Sequence, residues 1–214
     1  MKIGIIGSGV VGQTLGIGFL KNGHQVKIGT REPGKLKEWR EKNKTDNASV
    51  GNFKDAAEFG ELIVLCTLWT GTKNAVELSG MENFKGKILI DVTNPLDFSE
   101  GMPPKLGVNV GHSGGEQIQG WLPNTKVVKA FNIINAYTMI NPNLEEGKPD
   151  LFICGNDADA KKKVTDIAKE FNWESIIDIG GIKESFLLEA LTILWVNYGF
   201  KHNQWTHAFK LLKK

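Results

Sequence analysis

The chain has 214 residues, 41% hydrophobic and 23% charged, which suffices for one sizeable α/β core with a small annex. A formal net charge of +2 gives no electrostatic case for a nucleic-acid or membrane partner. The two cysteines, Cys66 and Cys154, sit in apolar runs without metal-ligand spacing, so no metal is expected and reduced thiols in a cytoplasmic protein are.

The first predicted element is a buried strand, Lys2–Ile6, which leaves no room for a secretory leader. No later apolar run approaches the roughly 18 residues of a membrane span. The strand runs into Gly7-Ser8-Gly9-Val10-Val11-Gly12, a G-x-G-x-x-G loop that opens a helix from Val10 to about Asn22. In such a loop Gly7 permits the tight turn, and Gly9 lets a pyrophosphate approach the backbone. Gly12 lets the helix pack close to the strand. The helix N-terminus adds unpaired N–H groups and partial positive charge. This pattern predicts a dinucleotide site.

Asn22-Gly23 reads as the helix stop, and Gln25–Gly29 as the second strand, ending in Thr30-Arg31-Glu32-Pro33. An acid at this tip binds the 2′-hydroxyl of NAD, whereas an arginine accommodates a 2′-phosphate. Here Thr30 offers a hydroxyl, Arg31 a planar fork that matches phosphate oxygens, and Lys35 a further cation on the next helix. Glu32 argues the other way, since a carboxylate turned inward would repel phosphate. On balance NADP(H) is expected over NAD(H).

The alternation continues. Lys35–Lys44 reads as a charged helix with Leu36 and Trp39 inward, Ala48–Val50 as a short strand, and Phe53–Phe59 as a helix. Glu61–Thr67 is an apolar strand followed by Leu68-Trp69-Thr70-Gly71 and a helix to about Leu78, and Lys87–Val92 a strand closing in Thr93-Asn94-Pro95. Glu100–Gly115 reads as a long functional loop. Val127–Phe131, Leu151–Cys154 and Ser175–Ile179 are strands, and Asp157 caps a helix that ends near Asn172. The predicted fold is α/β, a Rossmann-type doubly wound, mostly parallel sheet with a short C-terminal helical annex. Its expected division is a nucleotide-binding domain over 1–182 and a helical segment over 183–214.

That segment holds a helix, Lys183–Phe200, with apolar residues around nearly its whole circumference, as in a helix buried on all sides. Packing against a second copy and docking on the parent sheet are both open. Asn203–Lys214, with Trp205 and Phe209, would complete that cover or wall part of the site.

In open α/β sheets the ligand lies at the carboxyl ends of the strands. The candidates there are Thr67-Leu68-Trp69, Thr93-Asn94 and Asn132 through Ala136. No catalytic acid or base can be named among them. The loop residue His112 is the one titratable group with a claim, while His24, His202 and His207 read as non-catalytic. Hydride transfer between two stacked rings needs orientation and a dry pocket more than proton shuttles, so the scarcity is compatible with it.

The segments Ile6 through Gly12, Ile28-Gly29-Thr30-Arg31, Asp91-Val92-Thr93-Asn94-Pro95, Val128-Lys129-Ala130-Phe131-Asn132, Leu151 through Asp157 and Leu188-Glu189-Ala190-Leu191-Thr192 occur in an order that resembles the F420-dependent NADP reductase family. The resemblance covers essentially the whole chain and extends distantly to the NADPH domains of six-transmembrane metalloreductases. It implies NADP(H) bound by the glycine loop and by Thr30, Arg31 and Lys35. It also implies nicotinamide near Trp69, Asn132 and Ala136, a second ring stacked on it, and a homodimer formed through C-terminal helices. Two positions depart from the pattern: archaeal members carry His where Asn132 stands and Ser where Ala190 stands, both beside the second cofactor. NADP(H) is thus better supported than F420, and a flavin or small organic hydride acceptor or donor stays open. The same residues also fit two other functions: an NADPH-binding sensor without turnover, and an imine reductase similar to pyrroline-carboxylate reductase.

Overall fold

A computed structural model describes residues 1–212. The chain starts with strand β1 (Lys2–Ile6), helix α1 (Val10–Lys21) and strand β2 (Gln25–Gly29). A 3₁₀ turn (Pro33–Leu36) leads into helix α2 (Lys37–Lys42). Lys35 therefore sits in the 3₁₀ turn rather than on a continuous helix, while Leu36 and Trp39 are buried as expected. Strand β3 (Ala48–Gly51), helix α3 (Phe53–Phe59), strand β4 (Leu62–Leu65) and helix α4 (Trp69–Leu78) follow, then strand β5 (Ile88–Asp91). Asn52 starts α3 in a capping box: its side chain accepts from the Asp55 amide at 2.8 Å, and the Asp55 carboxylate accepts from the Asn52 amide at 2.8 Å.

The stretch read as a loop over Glu100–Gly115 is more ordered than expected. Strands β6 (Leu96–Asp97) and β7 (Lys105–Leu106) form a small antiparallel ribbon, and helix α5 (Gly114–Trp121) begins before the stretch ends. Ser113 caps α5, its hydroxyl accepting from the Glu116 amide at 3.0 Å. That S-x-x-E spacing is a helix-start signature already present in the sequence. The chain closes with β8 (Lys126–Lys129), β9 (Asp150–Gly155), α6 (Ala158–Glu170), β10 (Ser175–Asp178) and α7 (Ser185–His202).

The eight longer strands form one sheet in the order β10-β9-β8-β5-β4-β1-β2-β3, parallel throughout except for the β8–β9 pair. Burial on both faces explains the continuous apolar runs. Ile3, Ile5, Val26, Ile28 and Val64 face α1 and α6 through Leu15, Phe19, Val164 and Ile167. Ile6, Ile63, Leu65 and Leu89 pack on the other face against α3, α4 and α5 through Ala56, Ala57, Val76 and Ile118. Strand order reverses at β1: β2 and β3 lie to one side, while β4 pairs with its other edge. Helix α1 packs on one face and α4 on the other, so the loops leaving β1 and β4 diverge there, and in such sheets ligands lie at the strands' carboxyl ends.

Within a single chain the C-terminal helix is buried along one side. Leu188, Glu189, Thr192, Trp195, Val196 and Gly199 are buried, but Leu187, Leu194 and Tyr198 are exposed along the opposite face. One stripe docks on the parent domain and another is left open. The tail returns over the domain: Trp205 lies against Trp195 with ring centroids 5.7 Å apart, and the Phe209 carbonyl accepts from the Asp150 amide at 3.0 Å. Among the described residues no helix is long and apolar enough to cross a membrane, and no group of ligands could hold a metal ion.

Candidate functional site

Gly7 leaves β1 with φ +130°, a conformation that L side chains rarely adopt, and a Cβ there would sit 2.6 Å from the Cys66 carbonyl oxygen. A Cβ on Gly12 would collide with the Gly7 carbonyl oxygen, so these two glycines hold the turn and the helix together. Gly9, the N-cap of α1, has nothing within 4 Å of where its Cβ would be. No side chain caps α1 and no acid lies in its first turn. Open space over uncapped N–H groups suits an anion such as pyrophosphate. Val10 and Val11 continue the turn, exposed and half-buried.

The loop is tied to the second strand. The Ser8 hydroxyl donates to Thr30 Oγ1 at 3.0 Å, Gln13 Nε2 to the Ser8 carbonyl at 2.8 Å, and the Gly7 amide to the Gly29 carbonyl at 3.1 Å. Arg31 is exposed beside buried Thr30. Glu32, the contrary residue, pairs with Lys35 at 2.9 Å on the surface. Its carboxylate is thus occupied by the neighbouring cation. Cys66 lies beneath the loop, its thiol donating to the Ile6 carbonyl at 3.5 Å, and burial pushes that thiol up to about 12. Burial does the same to Cys154, also to about 12. Neither is a nucleophile at neutral pH.

On the β4 side, Thr67 follows the strand and its hydroxyl shares a hydrogen bond with Thr72 Oγ1 at 2.9 Å; the Thr72 hydroxyl donates to the Leu68 carbonyl at 3.1 Å. Leu68 is 80% exposed and caps α4. Trp69 is half-buried, stacked on Trp121 with centroids 5.9 Å apart and packed where a Cβ on Gly114 would touch it. Asn94 and Asn132 are brought together: Asn132 Nδ2 donates to Asn94 Oδ1 at 2.9 Å, and Asn94 Nδ2 donates to the Asn132 carbonyl at 2.9 Å. Asn132 Nδ2 also donates to the Leu188 carbonyl at 3.1 Å, while Asn132 Oδ1 is buried and has no partner. Reversing this amide would set its oxygen against two acceptors, so the orphan oxygen is held in place. Such an atom marks a place for a donor from a ligand or water. Ala136 starts a half-buried 3₁₀ turn (Ala136–Thr138). His112 is exposed in the turn before α5.

Beneath these residues lies a cluster that pattern reasoning missed. Lys129, Asp91 and Glu189 are all fully buried. Lys129 Nζ donates to Asp91 Oδ2 at 2.9 Å, to Glu189 Oε1 at 2.7 Å and to the Thr93 carbonyl at 2.6 Å. Burial by itself would lower the lysine, but the two carboxylates outweigh it and raise its proton affinity above the ordinary value. Glu189 further accepts from the Gly114 and Gly115 amides at 2.8 and 3.1 Å, pinning α7 to the start of α5. The available signal was a charge inside each of three apolar runs, because charges are seldom fully buried unless paired.

An open groove of about 840 Å³ lies elsewhere, at the amino end of β8, and mixes Lys126 and Lys183 with Glu116, Asp157 and Glu184. It presents no single charge or apolar face.

The family model described as NADP oxidoreductase, coenzyme F420-dependent, matches residues 2–95. The F420-dependent NADP reductase of Methanocaldococcus jannaschii is 32% identical, covering 94% of this chain and 94% of that protein. A crystal structure assigned as an F420-dependent NADP reductase from Arthrobacter sp. FB24 superimposes with a TM-score of 0.95 and 36% identity over 100% of both chains. Metalloreductase STEAP3 of Rattus norvegicus is 26% identical over 90% of this chain, which spans 36% of that protein. The chain belongs to the family of F420-dependent NADP reductases.

Proposed function

We propose that this protein is an NADP(H)-dependent oxidoreductase that passes hydride between nicotinamide and a second ring, deazaflavin F420 or a flavin, or to a small organic acceptor. The carrying observation is the uncapped start of α1 joined through Ser8 to Thr30, with Arg31 exposed beside it. Gly7, Ser8, Gly9, Val10, Val11 and Gly12 would hold the pyrophosphate, and Thr30, Arg31 and Lys35 the 2′-phosphate. Thr67, Leu68, Trp69, Asn94, Asn132 and Ala136 would border the nicotinamide. The orphan Asn132 oxygen supports this placement, since a carboxamide N–H could donate to it. When bound, NADP(H) supplies the hydride chemistry; the protein's residues bind, orient and exclude water.

A homodimer through α7 is part of the proposal. Leu187, Leu194 and Tyr198 are spaced seven and four residues apart on one exposed face, with half-buried Leu191 between them. An isologous partner would bury that stripe. A cytoplasmic setting fits the two unpaired thiols, Cys154 buried and Cys66 half-buried.

Titration of the pure protein with NADPH and NADH, followed by F420, FMN and FAD, tests the assignment. Tight NADPH binding with turnover of one ring acceptor is expected. Binding without turnover of any acceptor would favour a sensor, and turnover of pyrroline-5-carboxylate an imine reductase.

A further inference from the structure

We propose that the buried Lys129–Asp91–Glu189 cluster carries one net negative charge under the nicotinamide end of the site, so that the protein holds the oxidised, cationic ring more tightly than the reduced, neutral one. This rests on the dinucleotide placement proposed above.

Hydrogen-bond direction assigns the charges. Asp91 Oδ1 accepts from the Thr93 amide at 2.9 Å and the Thr93 hydroxyl at 2.7 Å, and Oδ2 accepts from Lys129. Glu189 Oε2 accepts from the Gly114 amide, and Oε1 accepts from the Gly115 amide and Lys129. Every carboxylate oxygen accepts from at least one fixed N–H donor, so both groups act as acceptors, as ionised carboxylates do. The three donors of Lys129 are all used. Two carboxylates and one ammonium leave a charge of −1. The start of α5 offsets part of it, about half a unit.

The cluster reaches the residues assigned to the nicotinamide through their immediate neighbours. The position of a Cβ on Gly114 lies 3.0 Å from the Trp69 ring and 3.1 Å from Glu189 Oε1, so indole and carboxylate flank the same glycine. Lys129 holds the carbonyl of Thr93, the residue before Asn94. Glu189 shares α7 with Leu188 and Thr192, which bond Asn132. The orphan Asn132 oxygen adds the negative end of a further dipole. With the three ionised side chains fully buried, solvent and salt screen the field weakly.

A site that prefers the oxidised ring makes bound NADPH a stronger hydride donor than free NADPH, because the same binding energy appears in both equilibria. The cluster is then a positioning and electrostatic element, not a catalytic one.

The test is the ratio of dissociation constants for NADP⁺ and NADPH, with 2′,5′-ADP as a reference lacking nicotinamide. Glu189→Gln removes one negative charge. The expected result is a shift of the ratio toward NADPH on the order of tenfold, the effect of a unit charge over roughly 10 Å at an effective dielectric near 20. Affinity for 2′,5′-ADP should not move, whereas general loosening of the fold would weaken all three ligands. An unchanged ratio with 2′,5′-ADP binding intact overturns the proposal. Should the variant fail to fold, the unmodified protein decides: NADP⁺ must bind more tightly than NADPH at low and high salt alike, and tighter NADPH binding overturns it. Loss of the dinucleotide placement itself would look different, as no NADP(H) binding at all, and would remove both proposals.

Discussion

Gly12 packs so closely beneath Gly7 that any Cβ on it would strike the Gly7 carbonyl oxygen and come within 3.0 Å of the Cys66 sulfur. The backbone of the turn and the first helical turn are thus a single packed unit, and the neighbouring Gly9 stands outside it. Gly12→Ala should therefore destabilise the fold by about 1–3 kcal/mol, the usual cost of overpacking. Gly9→Ala should change stability by less than about 1 kcal/mol, since its φ of −71° suits alanine and the space is open. Nucleotide binding should nevertheless fall in the Gly9 variant. Thermal denaturation with and without NADPH separates the two; equal destabilisation by both would refute the division of roles.

Arg31→Ala should weaken NADP(H) binding by about 1–3 kcal/mol, as expected for one lost charge-assisted contact, with little effect on NAD(H). Calorimetry with both nucleotides measures it. Equal losses would mean that Arg31 does not read the 2′-phosphate.

Lys129→Met should cost about 3–5 kcal/mol, because it leaves Asp91 and Glu189 buried without their cation. The pH behaviour follows from the raised proton affinity of Lys129. A folded-state value above the unfolded one gives stability that is fully present below the ordinary 10.5 and is lost as pH rises through the folded value. Across neutral pH this lysine should contribute no slope to stability, which denaturant titrations at several pH values can check.

Leu194→Glu should place a charge in the open stripe of α7 and keep the protein monomeric without altering its fold. Sedimentation of the wild type and the variant at matched concentrations is the measurement. A wild type that is already monomeric at high concentration would refute the dimer.

Cys66 and Cys154 should resist alkylation by iodoacetamide at neutral pH, with thiols pushed up to about 12 by burial. Mass spectrometry of the native protein reads this directly, and rapid labelling of Cys66 would show that the glycine loop opens.

Local chemistry carried much of the architecture and part of the site. Strands buried on both faces read as near-continuous apolar runs, so β1, β4 and β5 were legible from their residues, and Gly7 and Gly12 from the close approach that only glycine permits. Asp157 announced α6, and its side chain accepts from the Ala160 amide at 2.8 Å. Ser113 and Glu116 announced α5 in the same way, but the surrounding glycines and prolines masked them.

Other features depend on residues far apart in the chain. Lys129 meets Asp91 and Glu189 across 38 and 60 positions, a meeting that exists only once β5, β8 and α7 have packed. Asn94 and Asn132 likewise become partners through adjacent parallel strands. In α7 apolar residues point in every direction, so periodicity could not say which stripe is buried. Docking against α5 and the sheet decided it, because only the side bearing Glu189 and Thr192 could satisfy its polar groups in the interior.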